Sequence, residues 1–313
     1  MRKRYLLQGV LPLFLTTEAD DAIHQQWLDR LEEQKISWEH FLHEAGDCSQ
    51  FSRAATSRYH RTLLHLAVLD NRLEVVSLFS QDTSAKNRRD IYGLSPLDFA
   101  QFLNRQECLA HLKPHRTSQD QEDLSSFPAH FESLSHPIFE TRDALEYVLA
   151  QVDKVKQDDL ISSDKIWMGI YFDKEIREAL YPPVKIQYLD EQLGYGVIAE
   201  QKIRPCAFVG EYTGIIQERK SKLLKDKEYC LRYNVWEGKK NYCIDAERKG
   251  NFTRFINHSD KPNLGLQSVY WRGIPRMIFV ALKEIPAGKQ LTFDYGAEFW
   301  KDFRHPPKSI DDF

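Results

Sequence analysis

Four short stretches in the second half of the chain carry the residue types that could bind a small polar ligand and orient a reacting group. They are Gly194-Tyr195-Gly196, the run FVGEYTG from Phe208 to Gly214, the run GNFTRFINHSDKPN from Gly250 to Asn263, and the run GKQLTFDYG from Gly288 to Gly296. Glycine lets a backbone come close to a bound molecule, Asn and His offer directed hydrogen bonds, and a tyrosine hydroxyl can orient a nitrogen and support charge in a transition state. Taken singly, each feature has a plainer reading. A lone Gly-x-Gly is usually a turn, a lone histidine is usually packed and hydrogen-bonded, and a lone tyrosine usually belongs to a core.

The four stretches in this order, with YCIDA from Tyr242 to Ala246 before the third and Phe299-Trp300 after the last, resemble the SET-domain protein lysine methyltransferases. The histone H3 lysine 9 branch is the nearest likeness. The resemblance implies methyl transfer from the sulfonium of S-adenosylmethionine to a neutral lysine amine. That chemistry has two requirements. The amine must sit about 3 to 3.5 Å from the methyl carbon, in line with the C–S bond, and it must arrive deprotonated although a free lysine has a pKa of about 10.4. An apolar aromatic channel penalises the ammonium form.

By the same resemblance, Gly194, Tyr195, Gly196, Tyr229, Arg254, Asn257 and His258 are expected on the cofactor. Tyr295 is the expected catalytic tyrosine, with Tyr212 and Tyr242 lining the lysine channel near the amine. Phe293, Phe299 and Trp300 are expected channel walls. Phenylalanine at 293 lacks a hydroxyl that would occupy space, which implies a dimethyl or trimethyl product. The implied substrate is a protein with an accessible lysine, a histone tail or a histone-like basic protein.

The departures form a consistent set. Asp260 stands where cysteine-bearing relatives have a zinc ligand, and the tail after Tyr295 has no cysteine. The zinc cluster that precedes the domain in the nearest branch is missing as well. A metal-free domain is therefore expected, with Phe299, Trp300 and Phe303 packing to close the channel.

The elements that must hold these residues read as follows. Thr62-Leu63-Leu64-His65-Leu66-Ala67 and Ser95-Pro96-Leu97-Asp98-Phe99-Ala100 align at an offset of 33, the ankyrin period. His65 reads as a packed repeat histidine. Two such units need flanking caps, and Ala22 to Glu33 and Ser37 to Glu44 supply them with Trp27, Leu28, Leu31, Trp38, Phe41 and Leu42 at helical spacing. A Ser-, Gln- and Asp-rich run then reads as a linker. Beyond it come a helix from Thr141 to Val155, a short helix from Asp173 to Leu180, and six strands: Val184–Leu189, Tyr195–Ala199, Phe208–Ile216, Tyr229–Trp236, Asn241–Ile244 and Arg276–Leu282.

The expected fold class is α+β multidomain. A helical cap spans 1–58, ankyrin-like repeats 59–113, a linker 114–137, a helical region 138–183, a β-rich SET domain 184–296, and a tail closing the lysine channel 297–313. The resemblance adds a knot-like crossing of the C-terminal segment.

Composition bounds the rest. The chain has 313 residues, 42% hydrophobic and 28% charged, enough for a real core. Five cysteines without a CxxC pair imply a reducing compartment and exclude a disulfide framework. The N-terminal run MRKRYLLQGVLPLFL imitates a secretory signal, but Gln8, Gly9 and Pro12 interrupt it. No run approaches the roughly 20 apolar residues of a membrane span. The expectation is a soluble protein, cytoplasmic, or nuclear if it acts on chromatin, including as a secreted effector in a host cell. Residues 184–296 carry +6 and residues 1–183 carry −8. This is read as solvated surface charge, the rival reading being an acidic surface that recruits a basic partner. No basic cluster interleaved with aromatics points to direct nucleic-acid binding. A protein partner on the ankyrin-like units is expected. The rival reading of the whole is an ankyrin-based adaptor with an inactive SET domain, against which the intact Tyr295, Asn257, His258 and both glycines argue.

Overall fold

The computed structural model describes residues 18–46, 48, 51, 54–113, 131–219, 229–233 and 240–300. Helices α1 (Glu18–Glu32) and α2 (Trp38–Ala45) come first, and Leu28, Leu31, Trp38 and Phe41 are buried, as their spacing predicts. Two helix pairs follow. α3 (Leu63–Leu69) and α4 (Leu73–Phe79) form one, and after the short α5 (Thr83–Asn87), α6 (Pro96–Phe102) and α7 (Gln106–Leu112) form the other. From Leu63 to Pro96, and from Leu73 to Gln106, the pairs repeat at 33 residues.

One device starts both pairs. The Thr62 N–H donates to His65 Nδ1 at 3.1 Å, and the Ser95 N–H donates to Asp98 Oδ2 at 2.8 Å, so the N3 side chain satisfies the N-cap amide in each. His65 then donates through Nε2 to the Leu94 carbonyl at 3.2 Å, stapling one unit to the next. Burial holds this imidazole neutral, its pKa pushed down to about 3. Arg61, also buried, gathers Glu32 of α1, Asp90 between the pairs, and Glu146.

Residues 114–130 lie outside the described part. The expected linker is shorter at its far end than composition implied, because β1 (Glu132–Ser133) already pairs in parallel with Lys249–Gly250. The expected helical region likewise opens on a strand, β2 (Ile138–Phe139), paired with Ile215 and Ile216. Two-residue strands leave no periodicity to read. Helix α8 (Arg142–Gln157) starts as expected, with Thr141 Oγ1 accepting from the Ala144 N–H at 3.1 Å and Leu145, Val148, Leu149 and Val152 buried. α9 (Ser163–Tyr171) was not anticipated. α10 (Asp173–Glu178) stops short of Leu180 because Ala179 turns left-handed, φ 50°.

The β-rich part contains β3 (Val184–Asp190), β4 (Gly194–Ala199), β5 (Phe208–Glu211), β6 (Ile215–Glu218), β7 (Cys230–Tyr233), β8 (Tyr242–Asp245), β9 (Lys249–Gly250), β10 (Asn257–His258), β11 (Leu264–Trp271), β12 (Ile274–Ala281) and β13 (Thr292–Phe293), followed by α11 (Ala297–Trp300). They form small sheets: β2-β6-β8-β7, β11-β12-β5, and the pairs β3-β4, β1-β9 and β10-β13. The single strand expected over 208–216 is two strands in different sheets, and β11 was missed. β11 and β12 join through the two-residue turn Arg272-Gly273, both at positive φ, a hairpin geometry that matches strand twist. The turn reaches the helical part, where Arg272 pairs with Asp98 and Asp173. Segment 289–293 runs between β4 and β10: the Leu291 N–H donates to the Val197 carbonyl at 2.7 Å, and β13 lies parallel to β10.

Candidate active site

A cavity of about 540 Å³ opens where the β3–β4 turn, the end of β5, the start of β7, a 3-10 turn at Phe252–Phe255, and the segment after β13 converge. Gly194, Tyr195, Tyr212, Tyr229, Arg254, Asn257, Phe293, Tyr295 and Phe299 all line it. These residues are spread over more than a hundred positions of sequence and meet in one space.

Each is placed by identifiable local chemistry. Asp190 accepts from the N–H groups of Gln192 and Leu193, both at 2.8 Å, which folds the turn that delivers Gly194. Gly194 has φ +65°, and nothing lies within 4 Å of the place a Cβ would take, so bare backbone faces the cavity. Gly196 serves differently and does not line the space. A Cβ there would fall 2.6 Å from Leu189 Cδ1 and 2.7 Å from Gln290 Nε2, so this glycine allows close packing beneath the site. Above it, Asn257 Nδ2 donates to the Tyr195 carbonyl at 3.1 Å and ties β10 to β4.

Tyr295 donates its hydroxyl to the Ile256 carbonyl at 3.0 Å, and its ring meets Phe293 and Phe299 with centroids 4.8 Å away in both cases. Tyr212 donates to the Tyr229 carbonyl at 2.9 Å. Burial, reinforced by the neighbouring Tyr295 phenol, holds the Tyr212 hydroxyl well above the usual phenol pKa, so it stays protonated. With its proton committed to a carbonyl, a phenol oxygen still has lone-pair capacity to accept from an incoming N–H.

Arg254 is the cationic element. Its guanidinium lies 3.8 Å from the Tyr229 ring centroid and 4.6 Å from that of Phe255. Burial pulls its pKa below the usual arginine value, and its buried Nε has no hydrogen-bond partner among the described residues. The residue lines the cavity, so its guanidinium sets a positive charge at the wall.

Three expectations need correction or fall outside what is described. Tyr242 does not reach the cavity: it is buried on β8 with its ring stacked on Tyr147 of α8 at 5.6 Å, and burial lifts its pKa to about 12. The sheet face that carries it is covered by α8, whose position local sequence does not encode. His258 does not line the cavity either. Its Nδ1 accepts from the Tyr295 N–H at 3.2 Å and its Nε2 donates to Asp260 at 3.2 Å, so the ring supports Tyr295 from behind. Buried imidazole needs partners for both nitrogens, and these two supply them. The side chain of Trp300, and the tail 301–313 with Phe303, lie outside the described residues.

Sequence reasoning missed Gln192, Leu193, Cys230, Leu231, Thr253, Phe255 and Ile256 as cavity walls. Most are direct neighbours of predicted residues, so adjacency was the available signal. It also missed the support behind Tyr212. The buried Glu211 carboxylate is gripped by Arg276 of β12, and the Glu211 carbonyl accepts from Asn251 Nδ2 at 2.9 Å and Thr253 Oγ1 at 3.2 Å. One residue thereby fixes both the strand that delivers Tyr212 and the turn that delivers Arg254.

Residues 194–296 match the family described as the SET domain. The same region is similar to the histone-lysine N-methyltransferase EHMT1 of Homo sapiens, 38% identical over 118 residues, covering 36% of this chain and 9% of that protein. It is also similar to the histone-lysine N-methyltransferase SUV39H1 of Xenopus laevis, 35% identical over 114 residues, covering 34% of this chain and 27% of that protein. Among solved structures, that of KRYPTONITE in complex with mCHH DNA, H3(1-15) peptide and SAH matches with a TM-score of 0.32 and 30% identity, over 37% of this chain and 24% of that one. The chain thus spans only a small part of the curated relatives that it matches.

Proposed function

We propose that this protein transfers methyl groups from S-adenosylmethionine to the side-chain amine of lysine in a protein substrate. The observation that carries the reading is the meeting of Tyr212, Tyr295 and Phe293 with Gly194, Arg254 and Asn257 around one cavity. The donor set suits the cofactor. A volume of about 540 Å³ lies within the range of small-molecule sites, Arg254 offers a cation at the wall for a carboxylate, and Gly194 offers bare backbone for close approach. Bound there, S-adenosylmethionine supplies an electrophilic methyl group on a sulfonium.

The chain's own residues do the remainder. Arg254 fixes the anionic end of the cofactor, and Asn257 holds the Tyr195 strand that flanks it. Tyr295 and Tyr212, their protons committed to backbone carbonyls, accept from the amine N–H groups and aim the nitrogen lone pair. Phe293 and Phe299 exclude water and favour the neutral amine. The phenyl at 293 leaves room for a dimethyl or trimethyl product.

A histone or histone-like basic protein is the substrate class we favour, in keeping with the histone-lysine methyltransferase names of its relatives. The helix pairs that repeat at 33 residues are read as ankyrin-like units that recruit a protein partner, and the C-terminal segment between β4 and β10 as the family's threaded crossing. No helix among the described residues is long and apolar enough to cross a membrane. The test is incubation of the full chain with isotopically labelled S-adenosylmethionine and a panel of histones and basic peptides, with mass-spectrometric mapping of the product. Absence of transfer to any lysine, from a chain shown by calorimetry to bind the cofactor, would remove the catalytic reading.

A further inference from the structure

Helix α9 rests on the sheet with one side and carries an apolar stripe on the other. Gly169 marks the inner side: a Cβ there would fall 2.0 Å from the Tyr270 carbonyl oxygen, so the helix backbone lies directly on β11. Half-buried Met168 and buried Phe172 share that side. The outer stripe is Ser163, Ile166, Trp167, Ile170 and Tyr171, the spacing of a single helical face, and exposed Lys174 follows in the first turn of α10. Trp167 is 68% exposed, Ile170 63%, Tyr171 75% and Ile166 38%, and Leu160 at the helix entrance is 62% exposed.

Taking about 200 Å² for a fully exposed large side chain, these fractions come to about 600 Å² of apolar surface. That is the upper end of what a monomer leaves uncovered. It approaches the roughly 800 Å² that each partner contributes to a stable interface, the balance being supplied by a polar rim.

The stripe is also self-complementary. About the midpoint between Met168 and Gly169, Trp167 mirrors Ile170, Ile166 mirrors Tyr171, and Ser163 mirrors Lys174. A second α9 laid antiparallel across a two-fold axis at that midpoint therefore sets each aromatic ring on an aliphatic side chain, twice over. It also brings each Ser163 toward the partner's α10, whose first turn carries Lys174. This is the isologous pattern of a two-fold dimer, in which one patch meets itself. An anionic lipid surface is disfavoured, because exposed Asp158, Asp159 and Asp164 border the same patch.

We propose that two copies of this chain pair through α9 in an antiparallel, isologous dimer. The experiment is sedimentation equilibrium or light scattering of the full chain from about 1 µM to about 200 µM, which brackets association free energies of about 5 to 8 kcal/mol. The mass is expected to rise toward twice the 36.8 kDa of one chain. Trp167→Glu and Ile170→Lys should each raise the dissociation constant at least about tenfold. Circular dichroism, and the melting temperature at concentrations where wild type and variant are both monomeric, should not change, because both side chains are exposed.

The register has its own test. Ser163→Glu, facing the partner's Lys174, should tighten the dimer about threefold, and Ser163→Lys should loosen it to a similar degree. Adding Lys174→Glu to Ser163→Glu should abolish the gain. Wild type that stays monomeric throughout overturns the proposal, whether the stripe is then found to bind vesicles or another segment of its own chain. A dimer indifferent to Trp167→Glu, or to both charges at 163, overturns it equally.

Discussion

Replacing Tyr295 with phenylalanine removes one oxygen and separates the chemistry of the cavity from its architecture. That oxygen donates to the Ile256 carbonyl at 3.0 Å, while the ring contacts to Phe293 and Phe299, 4.8 Å each, do not depend on it. The structural cost is one part-buried hydrogen bond and a carbonyl left without that donor, about 1 kcal/mol. For a domain of this size that lowers the melting temperature by about 2–4 °C. Turnover answers to a different quantity. A fixed dipole that supports transition-state charge contributes tenfold to a thousandfold in rate when its removal is measured, and tenfold is about 1.4 kcal/mol of barrier. The expected result for Tyr295→Phe is thus a loss of methyl transfer of at least about tenfold. Calorimetric affinity for S-adenosylmethionine should stay within about twofold, less than about 0.5 kcal/mol. Initial rates with labelled cofactor on the responsive substrate, read beside a thermal melt, give both numbers. A melt that falls by the expected few degrees with wild-type turnover would show that the hydroxyl only fastens the segment after β13, and would refute the catalytic reading.

The remaining expectations address the support, the product and the acid limb. His258→Ala should lower turnover and melting temperature together while cofactor affinity changes by less than about threefold, because the ring holds the Tyr295 amide and not the cavity wall. A larger calorimetric loss would restore the direct contact that the resemblance implied. Phe293→Tyr adds a hydroxyl beside Tyr295 and should slow the later methylation steps by about 1–3 kcal/mol, directly or through an ordered water. A mass-spectrometric time course reads this, and wild type that stops at monomethyl lysine sinks the argument. Arg276→Met strands the buried Glu211 carboxylate and should cost about 3–5 kcal/mol in denaturant unfolding; a loss below about 1 kcal/mol would mean that the pair is dispensable. Finally, burial lowers the His65 pKa from 6.5 to about 3, so the unfolded chain binds a proton that the fold refuses between those values. The stability tied to a neutral His65 is intact above pH 6.5 and is lost as pH falls toward 3. Glu32 and Asp90, whose pKa values burial raises, act in the opposite direction, so the measurement is the difference between wild type and His65→Gln at each pH. An acid limb of equal slope in both would rule the effect out.

Gly194, Arg254, Asn257 and Tyr295 were expected together from the resemblance that their short runs carry, and they meet around one cavity. The helix pairs were legible from the 33-residue offset of two runs, each closed locally, Thr62 with His65 and Ser95 with Asp98. What stayed hidden depends on partners far along the chain. Tyr242 lies in a run as informative as the others, yet its direction is decided by α8, which covers that face of the sheet. The grip of Arg276 on Glu211 spans 65 positions, and that of Arg61 on Glu146 spans 85.

The two longest missed elements, α9 and β11, fail for one shared physical reason. Periodicity reports contrast between a buried face and a wet one, and these two have little contrast. β11 carries no clean alternation, since residues of both faces are buried at its Trp271 end while its middle is only half covered. α9 is apolar on the side that packs on β11 and apolar again on the side that faces outward, so its run from Ile166 to Phe172 holds no charged residue to mark the wet face. An apolar outer face does nothing for the fold of one chain and costs solubility, which is why such faces are usually charged. The outer face of α9, with Trp167 and Ile170 exposed, is the one on which the proposed pairing of two copies rests.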